Sequence, residues 1–275
     1  MKLVMYSVNS SDAKAGFIED GKVRQLAGEE TSMIALIEQG AEKQPIGGEC
    51  VALEDVKLYA PIARPGKVIG IGLNYEDHAA ETGADIPEKP IVFAKYPNTI
   101  TGPGNSILIP KITEQADYEA ELAVVIGRKA RHVETEDALD YVFGYMNAND
   151  VSSRDLQFSE GGQWTRSKSI DTFAPTGPYL VTKDEIEDPQ DLSIKCTLNG
   201  EVMQEGNTEK MIFSVADIVA FLSTGMTLEP GDIILTGTPP GVGVARDPKV
   251  FLKDGDEVTI EIDGLGSLTN PVEAE

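Results

Sequence analysis

Short apolar runs bounded by turn residues recur along most of the chain. Leu3 to Val8 and Ala15 to Glu19 read as strands. Asp20-Gly21 is a hairpin signal that leads into Lys22 to Leu26. Met33-Ile34-Ala35-Leu36-Ile37 reads as a short helix, capped by Thr31 or Ser32 and closed by Gly40. Gln44-Pro45-Ile46-Gly47-Gly48 reads as a loop. Pro61 to Gly66 marks the boundary between a small leading αβ unit, residues 1–62, and a larger domain, residues 63–275.

Beyond that boundary, strands are expected at Lys67–Gly72, Ile91–Lys95, Ser106–Ile109, Glu119–Ile126, Leu192–Leu198, Asp232–Leu235, Val250–Leu252 and Glu257–Ile262. Asn199-Gly200 is a two-residue hairpin signal. Helices are few: Glu76 to Thr82, a turn opened by Ser152 and Asp155 that runs through Leu156, and an amphipathic helix opened by Ser214 and Asp217 and ended by Gly225. Strands dominate without a regular βαβ alternation. The expected fold is α+β and mostly β, not a doubly wound sheet.

The most informative pattern lies in Asp117-Tyr118-Glu119-Ala120-Glu121-Leu122-Ala123-Val124-Val125-Ile126-Gly127. With period two, Glu119, Glu121, Ala123 and Val125 share one face, and Tyr118, Ala120, Leu122, Val124 and Ile126 share the other. The apolar run implies that both faces are buried at its end. Two carboxylates on one face then sit about 7 Å apart. Like charges so placed need a positive partner. A divalent cation satisfies this, and all-oxygen ligands favour Mg²⁺, Mn²⁺ or Ca²⁺ over zinc. Read alone, the stretch fits equally an edge strand whose glutamates point to water. Asp150 follows the apolar Tyr141–Tyr145 run and can supply a third carboxylate at a strand end, or serve as a turn or helix-cap residue.

Charge narrows the function. The chain has 275 residues, 46 of them acidic and 23 basic, for a formal charge of −23. Such a chain repels phosphate backbones and anionic lipid, so neither nucleic acid nor membrane is an expected partner. Cys50 and Cys196 lie far apart and form no CxxC pair, so neither a disulfide framework nor a zinc site is expected. The N-terminal apolar run is short for a signal peptide, and no stretch approaches ~20 apolar residues. The expected compartment is a reducing cytoplasm.

Other chemistry-bearing residues are sparse. His78 and Glu81 are three apart, on one face of a predicted helix. A carboxylate there fixes an imidazole tautomer and raises its basicity, although a plain helix-face histidine fits the same spacing. His132 beside Arg131 reads as a surface residue. Arg154 and Gln157, three apart, share a helix face. Gly237 and Thr238 follow a strand and offer backbone N–H groups to a carboxylate, but no Walker lysine follows. Gly70 and Gly72 form only GxG, which does not support a dinucleotide site. Trp164 and Phe173 are expected in the core.

Asp117–Gly127 resembles the signature strand of the fumarylacetoacetate hydrolase (FAH) family. Four further segments agree in order: Gly72–Glu81, Asn149–Gln157, Lys168–Pro175 and Thr236–Gly243. In the second-last, Ser-Ile-Asp follows Lys168 where Gly-Phe-Asp is common. The resemblance implies mixed β-sheets rolled around a central helical segment, usually in a homodimer. It implies a Mg²⁺ or Mn²⁺ ion held by Glu119, Glu121 and Asp150. It implies a small anionic 2-oxo or diketo acid as substrate, with C–C cleavage as the reaction. His78 oriented by Glu81 would be the base that activates water, and Lys168 would meet the developing negative charge. Gln157 and, after it, Arg154 would reach the substrate. Alternatives are oxaloacetate decarboxylation, isomerisation of a 2-hydroxy-dienoate, or a non-catalytic, metal-stabilised binding protein.

Overall fold

The computed structural model describes residues 1–9, 12–26, 32–40, 46–159 and 161–275. Among them, the largest element is a 12-stranded sheet. Its main path runs Ile46–Ala52, Lys22–Leu26, Lys14–Glu19, Lys2–Ser7, Ala174–Thr182, Val142–Asn149, Ala120–Ile126, Ile233–Leu235, Val68–Gly72 and Ile91–Lys95. A second sheet of five strands orders Glu201–Asn207, Ser193–Leu198, Glu257–Ile262, Gly266–Ala274 and Ile107–Ile109. The fold is α+β and mostly β, as the pattern predicts.

The leading segment joins the large sheet directly, because Lys2 and Leu3 pair antiparallel with Val181 and Leu180. Apolar residues from both sheets meet in the main core, where Leu122, Val124, Ile194, Ile260 and Leu268 are buried together. The helix Val215–Gly225 buries Val215, Ile218, Val219 and Leu222 in the same core. Ser214 and Asp217 form its capping box, satisfying two N-terminal N–H groups reciprocally.

Several local expectations change. Ile46-Gly47-Gly48 belongs to a strand, because Lys22–Leu26 supplies an edge for it to pair with. Thr31, Gln44 and Pro45 lie outside the described residues, and Ser32 caps its helix without a side-chain hydrogen bond. Val250–Leu252 is not a strand: Val250 N–H donates to Gly243 O at 3.1 Å and Leu252 N–H to Ala116 O at 2.8 Å, which ties the segment to two separate places. Ser152-Ser153 pairs with Ala116-Asp117, so the helix begins only at Arg154. Asp155 anchors that helix start, accepting from Thr113 Oγ1 and Ser153 Oγ, each at 2.7 Å.

Candidate functional site

Strand Ala120–Ile126 is buried on both faces. Leu122, Val124 and Ile126 enter the main core, while Ala123 and Val125 enter a second core. Glu119 and Glu121 continue the Ala123–Val125 face and are themselves buried. The neighbouring strand pairs Ala120 with Asn149, which sets Asp150 beside Glu119. Asp150 N–H donates to Glu119 O at 2.9 Å, and Asn149 Oδ1 accepts from Glu119 N–H at 2.9 Å. One carboxylate oxygen from each of Glu119, Glu121 and Asp150 lies within 4.8 Å of the others. The edge-strand alternative for these glutamates is therefore excluded by burial.

Three buried cations surround this cluster. Lys168 Nζ donates to Glu119 Oε2 and Asp150 Oδ2, both at 2.7 Å, and to Ser152 Oγ at 2.6 Å. Arg154 Nε donates to Asp117 Oδ2 at 2.9 Å and its NH2 to Glu119 Oε1 at 2.6 Å. Lys95 Nζ donates to Asp150 Oδ1 at 2.5 Å. Sequence reasoning missed Lys95. Its signal is period two in Ile91–Lys95, where Phe93 and Lys95 are the buried positions, placing a lysine on the inward face of an apolar strand.

Electrostatics separates the carboxylates. Burial pushes Glu119 upward, but Lys168 and then Arg154 outweigh it and hold its carboxyl well below the usual range. Glu121 moves the other way. Burial, then Asp150 and Glu119, push its carboxyl well above the usual range. Its Oε2 accepts from Gly237 N–H at 2.8 Å, and among the described residues no cation pairs with it. A cluster of hard oxygen donors with one buried carboxylate lacking a counter-cation fits a divalent ion. Burial lowers the Lys95 ammonium despite Asp150. Lys168 is raised, because Asp150 and Glu119 overcome its burial.

His78 and Glu81 lie on the helix Glu76–Thr82, with His78 Nδ1 2.7 Å from Glu81 Oε1. Gly241 N–H donates to both Glu81 oxygens, at 3.1 and 2.9 Å. The Gly241 loop is held in turn by Asp117, whose carboxylate accepts from Gly243 N–H at 2.8 Å and Val244 N–H at 3.0 Å. His78, Glu81, Glu119, Glu121 and Lys168 line one cavity of about 500 Å³.

Arg154 and Gln157 also reach that cavity, joined by a hydrogen bond from Arg154 NH1 to Gln157 Oε1 at 2.9 Å. Arg154 is already engaged by Asp117 and Glu119. One expectation is corrected here. The Gly237 N–H donates to Glu121 and so does not stand free for a substrate carboxylate. Thr238 lines the cavity, with Oγ1 accepting from Gln204 Nε2 at 2.7 Å. Phe173 is in the core as expected, but Trp164 is half-buried and forms cavity wall with Phe93, at 5.6 Å between ring centroids. His132 is exposed.

The model of the fumarylacetoacetate (FAA) hydrolase C-terminal family matches residues 67–273. A mitochondrial oxaloacetate tautomerase, Fahd2a of Rattus norvegicus, is 46% identical over 88% of this chain and 79% of its own length. The structure of a fumarylacetoacetate hydrolase from Exiguobacterium antarcticum is 38% identical, with a TM-score of 0.87 and both chains covered in full. A 2-hydroxyhepta-2,4-diene-1,7-dioate isomerase from Mycobacterium marinum is also 38% identical, with a TM-score of 0.85, covering 100% of this chain and 99% of its own. Among the described residues, no helix is long and apolar enough to cross a membrane.

Proposed function

Because the chain belongs to the fumarylacetoacetate hydrolase family, we propose that it is a divalent-metal-dependent enzyme that hydrolyses a C–C bond in a 1,3-diketo acid, of acylpyruvate or 2,4-diketo-3-deoxy sugar acid type. The observation that carries this reading is the meeting of the His78–Glu81 pair with the Glu119 and Glu121 carboxylates at one cavity, where Asp150 completes the carboxylate cluster behind them. Mg²⁺ or Mn²⁺ held by those three carboxylates would supply Lewis acidity toward the 2-oxo acid end of the substrate.

The protein's own groups supply the rest. Glu81 accepts the Nδ1 proton of His78, which leaves the Nε2 lone pair for a water proton. Gly241 keeps Glu81 oriented for that task. Water attack at the distal carbonyl breaks its bond to the carbon between the carbonyls. The acyl fragment leaves as a carboxylic acid, and the imidazolium returns a proton to the departing carbon. The Lys168 ammonium, held by Glu119, Asp150 and Ser152 at the cavity wall, offsets the negative charge that develops there through space. Gln157 contacts the substrate from the neighbouring helix, and Arg154 holds Gln157 in place.

The named tautomerase relative favours a second reading on oxaloacetate. His78 would then remove and return a proton beside the 2-oxo group, with no water attack. One assay separates them: acetylpyruvate, a diketo-deoxy sugar acid and oxaloacetate, each with Mg²⁺, Mn²⁺ or EDTA. Hydrolysis releases pyruvate from acetylpyruvate. Decarboxylation releases CO₂ from oxaloacetate. Tautomerisation only changes enol absorbance. H78A is expected to lower turnover by about 10²–10⁴-fold while leaving Mn²⁺ affinity unchanged. A full rate in that variant would remove His78 from this role. On the family resemblance we also propose a homodimer, which light scattering will measure.

A further inference from the structure

We propose that Lys95 is a positioning residue of the candidate metal centre, fixing one oxygen of Asp150 from behind so that the other faces the cluster. The inference rests on the metal reading of Glu119, Glu121 and Asp150.

Lys95 and Lys168 divide the carboxylate of Asp150 between them. Lys168 takes Oδ2 and lines the cavity. Lys95 takes Oδ1 at 2.5 Å and is not among the cavity-lining residues. The side chains of Lys95 and Asp150 are both 0% exposed. The other two ammonium protons of Lys95 go to Val151 O at 3.2 Å and Phe173 O at 2.8 Å. All three donors of the ammonium are thus engaged inside the protein. Lys95 is also absent from the cavity wall, so it does not touch a substrate there.

The geometry suits positioning. The terminal torsion of an aspartate is broad, so a carboxylate at a strand end turns easily unless something holds an oxygen. The carbonyls of Val151 and Phe173 anchor the ammonium from two separate segments, and the ammonium anchors Oδ1. The arrangement also costs stability: a buried ion pair is commonly no better than apolar packing of similar volume. Fold stability alone therefore does not account for a lysine at a strand position whose inward neighbour is Phe93.

The test uses the full chain, stripped with EDTA and dialysed, with Mn²⁺ alone as the probe in calorimetric titration. K95M is expected to bind Mn²⁺ about 10–100-fold more weakly, the range seen when groups that orient metal ligands are removed. Circular dichroism checks that the variant is folded. A folded K95M that binds Mn²⁺ as tightly as the wild type overturns the proposal. If K95M does not fold, D150N is compared with K95M/D150N, in which the carboxylate charge is already gone. A group that acts through Asp150 predicts equal affinities in this pair. A further loss caused by K95M would sink the idea. Wild-type protein that takes up no Mn²⁺ would instead overturn the metal reading and this inference with it.

Discussion

Glu121 shows how a single residue sets the properties of the site. Glu119 is matched by Lys168 and Arg154, and Asp150 by Lys95 and Lys168. Glu121 accepts from the Gly237 N–H, and burial with two like-charged neighbours outweighs the attraction of Lys168. Its carboxyl is raised, so the native state retains a proton that the unfolded chain releases at lower pH. The sign follows: metal-free protein loses stability as pH rises from the ordinary carboxylate range through the raised value. E121Q removes this effect while keeping an acceptor for Gly237. In EDTA at neutral pH, E121Q should therefore melt above the wild type. It should also lose the rise in melting temperature that Mn²⁺ gives the wild type. Differential scanning calorimetry with and without Mn²⁺ checks both expectations.

At the scale of elements, the short helix Trp164–Lys168 carries two cavity residues at its opposite ends. Lys168 reaches the carboxylates, and Trp164 packs over Gly72 and Phe93. An added Cβ at Gly72 would lie 2.2 Å from the Trp164 ring, so the ring would have to move. Trp164 is the sole tryptophan of the chain, so its emission reports on this wall alone. Pyruvate added with Mn²⁺ is expected to change that emission in a saturable way. G72A, which displaces the ring, should weaken the apparent affinity several-fold in the same titration. An unchanged midpoint would show that the ring does not contact the ligand.

The whole molecule combines a formal charge of −23 with buried cations gathered at one place. Lys95, Arg154 and Lys168 are buried around the carboxylate cluster, and exposed Lys249 stands on the cavity lining. Those cations are already paired with Asp117, Glu119 and Asp150, so an anionic substrate would draw local positive charge from a divalent ion held by the carboxylates and from Lys249. The two cysteines sample the fold differently. Cys50 is exposed and Cys196 is buried in the second sheet. Burial, then Asp117, push the Cys196 thiol far above its usual value, which leaves almost no reactive thiolate. A maleimide reagent at neutral pH should label one thiol in native protein and two in guanidinium. Rapid labelling of both in native protein would mean that the second sheet opens readily.

What the sequence determined by itself was local and periodic. Period two in Asp117–Gly127 assigned each side chain to a face, and those faces enter the two separate cores. The same spacing put two glutamates together, and the strand end added Asp150. The helix Glu76–Thr82 was legible at its full length, with His78 and Glu81 facing each other. Contacts between distant segments were decided only by the tertiary structure. The Gly237 N–H is claimed by Glu121, from a strand far away in sequence. Val250–Leu252 has strand-forming residues but no strand beside it to pair with. Lys95 has the composition of a strand-end surface lysine, and becomes a buried counter-ion because the sheet brings it against Asp150 and the carbonyl of Phe173. Periodicity fixes which way a side chain points; only the folded chain determines what it meets there, because burial and charge pairing depend on neighbours that lie far off in sequence.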